Sequence, residues 1–105
     1  MDQDKLKALI EEATTACYDE EEAFWGMFCT LQMRMTFPLQ AKVGGSEASL
    51  TGLDEPNSDP QKGAMAQISR GGGDESVALT EVELVDPDPA SAEWLAAYKY
   101  WLDQK

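Results

Sequence analysis

The chain has 105 residues, the size of one domain, and 43% of them are hydrophobic, with three Trp, three Tyr and three Phe to build a core. Twenty Asp plus Glu against eight Lys plus Arg leave a formal charge of −12, which repels phosphate backbones and anionic headgroups and excludes nucleic acid and membrane surfaces as partners. The absence of histidine removes the commonest general base and every Ser-His or Cys-His nucleophile pair, so binding is expected here and catalysis is not.

A single domain over residues 1–105 and a monomer are expected. No apolar run is long enough to span a bilayer, and Met1-Asp2-Gln3-Asp4-Lys5 lacks the basic and then apolar order of a secretion signal. A cytosolic protein is expected in consequence. Cys17 and Cys29 are too few and wrongly spaced for a zinc site and read as reduced core residues in helices.

From Asp4 to Tyr18, Leu6, Leu9, Ile10, Ala13 and Cys17 recur at three and four, the stripe of an amphipathic helix. Asp19 followed by Glu22 has capping-box spacing, which starts a second helix at about Glu20. That helix presents Phe24, Met27, Phe28, Leu31 and Met35 on one face, and Phe37-Pro38 stops it. Strands follow at Leu39 to Val43 and Glu47 to Leu53, separated by a Gly44-Gly45 turn. Asp54 to Pro60 is a turn-rich loop, Ala64 to Arg70 a third strand, and Gly71 to Glu75 a flexible connection to a fourth strand at Ser76 to Leu79. Thr80 to Val85 reads as a last short strand or turn. Asp88-Pro89 then opens a helix to about Gln104, with Asp as N-cap and Pro where its missing N–H does no harm; Trp94, Tyr98 and Trp101 lie along one stripe. Helices at the ends and strands between them predict an α+β fold: two N-terminal helices, about five antiparallel strands in a sheet or small barrel, and one C-terminal helix.

With those elements placed, three stretches resemble the CcbP calcium-binding protein family known from cyanobacteria. They are Glu21-Glu22-Ala23-Phe24-Trp25-Gly26-Met27-Phe28, then Phe37-Pro38-Leu39-Gln40-Ala41-Lys42-Val43, then Trp94 with Tyr98-Lys99-Tyr100-Trp101-Leu102. The resemblance spans most of the chain. It implies a small antiparallel SH3-like β-barrel flanked by helices, and a cytosolic protein that holds calcium (Ca2+) without an EF-hand.

Calcium takes roughly six to eight hard oxygen ligands, usually several carboxylates with carbonyls and water. Asp54, Glu55, Asn57, Ser58 and Asp59 crowd oxygen-bearing side chains into one loop stiffened by Pro56 and Pro60. Asp59 stands where an EF-hand needs glycine, so this is no EF-hand. A second candidate set is Glu81, Glu83, Asp86 and Asp88: in an extended strand Glu81 and Glu83 point to the same side, and Pro87 and Pro89 stiffen the two Asp. The expected metal residues are therefore Asp54, Glu55, Asp59, Glu81, Glu83, Asp86 and Asp88, holding one or two ions weakly. Asp19 to Glu22 is explained by capping, and Asp74-Glu75 reads as an acidic hairpin tip. Gly71-Gly72-Gly73 is no phosphate loop, because no Lys-Ser or Lys-Thr follows it. The function expected is a calcium buffer or sensor; the alternative is an acidic module that docks a basic protein without metal.

Overall fold

The computed structural model describes residues 3–15 and 17–104. It forms two compact units: the described residues of 1–35 and 88–105, which hold three helices, and residues 36–87, which carry the sheet.

The helical unit contains α1 (Gln3–Thr14), α2 (Glu20–Arg34) and α3 (Pro89–Asp103), each packed against the other two. The predicted cap at α2 is present: Glu22 N–H donates to Asp19 Oδ1 at 2.8 Å, and Tyr18 N–H donates to Glu22 Oε2 at 2.8 Å. The first bond satisfies an amide that the opening helical turn leaves without a partner, and the second ties the residue before the cap to that turn. All five residues predicted for the inward face of α2 are buried, and full burial of a side chain of that size contributes about 1.5–3 kcal/mol. Gly26 lets α1 approach closely, since a Cβ built on it would lie 2.7 Å from Ala13 O. Arg34 lies 3.8 Å from Glu12, and Lys5 bonds Glu93 at 2.7 Å, exposed pairs linking α1 to α2 and to α3. At α3, Asp88 Oδ2 accepts from Ser91 N–H at 3.1 Å and Pro89 takes the first turn, as predicted.

The first helix is shorter than predicted, ending at Thr14; Thr14 and Thr15 hydroxyls bond back to carbonyls four residues earlier, which competes with continuing the helix. Cys17 therefore lies beyond the helix and is half-buried, and Cys29 is exposed on α2. Both are free thiols, but the expected core placement is wrong for Cys29, because the inward face of α2 is filled by Phe24, Met27, Phe28 and Leu31.

In the sheet unit β1 (Leu39–Val43), β2 (Ser46–Leu53), β3 (Met65–Arg70), β4 (Gly73–Ala78) and β5 (Val82–Leu84) form one antiparallel sheet in the order β4-β3-β2-β1-β5. Gly44 (φ 59°) and Gly45 (φ 83°) make the two-residue turn that fixes the β1–β2 register, with Val43 opposite Ser46. Alternation then sorts the faces. Ala41, Val43, Leu50, Ala66, Ile68 and Val82 are buried, while Gln40, Lys42, Ser49, Gln67 and Glu83 are exposed. A bulge between Leu50 and Gly52 shifts register along β2, the usual device for bending a strand. The sheet is not closed into the SH3-like barrel expected, with β4 and β5 as its edges; the α+β class, the antiparallel pairing and the placement of helices hold.

Two local expectations change. Gly71 (φ 59°) and Gly72 (φ 81°) complete a tight turn, so Asp74 and Glu75 belong to β4, opposite Ser69 and Ile68, and are not a mobile tip. Leu79–Glu81 forms a 3-10 turn before β5, so Leu79 leaves the fourth strand and the stretch read as a last short strand or turn contains both. Among the described residues, no helix is long and apolar enough to cross a membrane.

Candidate metal-binding loop

Asp54 follows β2 directly. Its N–H donates to Met65 O at 2.8 Å, tying the start of the loop to β3. The chain then turns through Glu55, Pro56 and Asn57, with Ser58 N–H donating to Glu55 O at 3.0 Å. Asn57 Nδ2 reaches back to Asp54 Oδ2 at 2.8 Å. That bond, with the Ser76 hydroxyl adding to it, holds the Asp54 carboxyl below the usual carboxylate range, because the donors favour the ionised form. No Lys or Arg of the described residues lies in ion-pair contact with Asp54.

Ser58 is buried, and its hydroxyl donates to Asp54 O at 2.7 Å while accepting from Met65 N–H at 2.8 Å. One side chain thus closes the base of the loop. Asp59 Oδ1 accepts from Gln61 N–H at 2.8 Å and Lys62 N–H at 2.6 Å, and Asp59 and Gly63 bridge through their backbones. An ionised carboxylate offers about four lone-pair sites, so these bonds leave acceptor capacity at both aspartates. Glu55 is exposed at the turn.

The second set is not drawn together in the way the sequence suggested. Glu81 ends the 3-10 turn and Glu83 stands in β5, both exposed on either side of buried Val82. Glu83 instead faces Lys42 across the β5–β1 pair, and Lys42 faces Glu47 across β1–β2, giving a row of acid, base and acid on the exposed face. This row was missed in the sequence, although the Gly44-Gly45 turn and strand alternation imply the Lys42–Glu47 half. Asp86 is exposed, with φ 48° in the left-handed region that Asp tolerates better than most residues. Asp88 belongs to the helical unit and is committed to the α3 cap.

Among the described residues, no three Asp, Glu or Cys side chains converge as a ready-made metal cage. The donor chemistry nonetheless fits a hard cation: every candidate group is oxygen, and Asn57, backbone carbonyls and water are at hand to complete a calcium shell around few carboxylates. Separately, a recess of about 310 Å3 on the sheet is lined by Gln40, Glu47, Ser49, Ser69 and Val85 and contains none of the seven expected residues.

The fold matches two solved structures. One, described as the crystal structure of Anabaena CcbP, aligns with a TM-score of 0.82 at 20% identity, covering 97% of this chain and 91% of that one. The other, described as a calcium-binding protein in the calcium-binding form, aligns with a TM-score of 0.80 at 21% identity, covering 98% and 92%. No curated protein sequence matches the chain. Residues 7–102 match the CcbP family, whose description is calcium binding, and the chain belongs to that family.

Proposed function

We propose that this protein is a cytosolic calcium buffer or sensor, holding one or two ions weakly through loop and strand-end carboxylates. Calcium is the ion of the family to which the chain belongs. The observation that supports the assignment to this loop is the Asp54 carboxylate, held in place by Asn57 Nδ2 at 2.8 Å and, among the described residues, without a Lys or Arg in ion-pair contact. Asp54, Glu55 and Asp59 are the first choice of ligands, with Glu81, Glu83 and Asp86 as the second group and Asp88 as a capping residue beside it. No catalytic residue is assigned, and a charge of −12 favours a monomer through self-repulsion.

The proposal is tested by melting the metal-free protein with and without millimolar calcium. Ligand at a hundredfold excess over Kd adds about 2.7 kcal/mol of stability, and the melting temperature rises accordingly. Joint replacement of Asp54, Glu55 and Asp59 by Asn, Gln and Asn keeps the loop acceptors and removes the charge, so the shift falls by one binding step. An unchanged shift in that variant moves the site to Glu81, Glu83 and Asp86.

A second reading is an acidic module that docks a basic protein independently of metal. The net charge supports it, and so does an exposed aromatic side chain in the helical unit, Tyr18, at 90% exposure.

A further inference from the structure

Tyr18 borders an open depression of about 380 Å3 on the helical unit, lined with it by Cys17, Asp19, Glu20, Ala23 and Trp101. A tyrosine ring left 90% exposed loses the favourable burial open to it elsewhere, and isolated aromatic rings of this kind are enriched in protein interfaces. Its backbone is fixed, since its N–H is held by Glu22 and the next residue caps α2. Trp101, half-buried, contributes a second aromatic side chain to the lining. Glu20 is exposed and makes no ion pair with the described residues. The α2 N-terminus by itself disfavours a cation, but Glu20, Glu21 and Glu22 in the first turn reverse that local sign.

From this we infer that the depression receives an arginine side chain from a basic protein segment, with the guanidinium over the Tyr18 and Trp101 rings and its charge toward Glu20. The inference rests on the docking reading above and is independent of calcium. Guanidinium fits the depression better than ammonium: it is planar, more weakly hydrated, and stacks on aromatic faces while its N–H groups bond a carboxylate. The whole-molecule charge of −12 attracts either cation, so the aromatic side chains are what distinguish them.

The experiment uses blocked tetra-arginine and tetralysine peptides, of equal charge, titrated into the full chain while tryptophan emission is followed. Tetra-arginine binds about fivefold more tightly than tetralysine, the scale of one cation–π contact. Tyr18→Ala, at an exposed position that leaves packing intact, removes that preference, and Glu20→Gln weakens both peptides more than Glu47→Gln does. Equal binding of the two peptides, or a preference that survives Tyr18→Ala, overturns the assignment to this depression and leaves the docking reading standing. Failure of both peptides to bind the unaltered chain overturns the two together.

Discussion

Asn57 and Ser58 hold the candidate loop in shape, although by composition they were only two more oxygen donors. Asn57 acts on charge: its side chain keeps Asp54 ionised at lower pH than an ordinary carboxyl. A carboxyl with a depressed value in the folded state binds fewer protons there than when unfolded. Its stabilisation is therefore present above the usual value of 3.8 and is lost as pH falls through the lower folded value. Asn57→Ala removes the largest cause, so the Asp54 carboxyl titrates at higher pH, read from its side-chain carbon shift by NMR. An unmoved titration contradicts the role given to Asn57. Glu75, held low chiefly by its bond to Arg70, follows the same sign and loses its contribution in acid.

At the level of elements, the sequence carried most of the fold because its punctuation is local. Asp19 with Glu22, Asp88 with Pro89, and Gly44 with Gly45 each specify a boundary through bonds or dihedral angles within a few residues; both caps and the turn lie where they were placed, with β2 starting at Ser46, one residue earlier than expected. The misses occur where local signals compete. A three-glycine run does not say which two residues form the turn, so Asp74 and Glu75 were read as a tip. An apolar neighbourhood does not say which side a helix buries, so Cys29 was placed in the core. The candidate site was half legible: the acidic loop is visible in composition, but the hydrogen bonds occupying Asp54 and Asp59, and the Lys42 between Glu47 and Glu83, depend on the folded chain. Gly26 illustrates packing that overrides propensity. Alanine is the better helix former by about 1 kcal/mol, yet its methyl would meet Ala13 O at 2.7 Å. Gly26→Ala is expected to destabilise by roughly 1–3 kcal/mol in urea unfolding, as overpacking does; a stabilised variant contradicts the close approach of α1 and α2.

On the scale of the whole molecule, α3 is separated in sequence from α1 and α2 by the entire sheet unit, yet packs against both. The helical unit is therefore built from both ends of the chain, and we propose that the 105 residues behave as one folding domain. Scanning calorimetry is expected to give a single transition with equal calorimetric and van't Hoff enthalpies; two resolved transitions contradict it. The same molecule carries −12 charges on a small body, a self-repulsion that a bound divalent cation relieves and that monovalent salt only screens.

Isothermal titration of calcium into metal-free protein, at fixed ionic strength, separates those two effects. The account predicts a saturable binding heat for one or two ions, reduced by one step when Asp54, Glu55 and Asp59 are replaced together. A flat titration to millimolar calcium, with the folded protein intact, contradicts it.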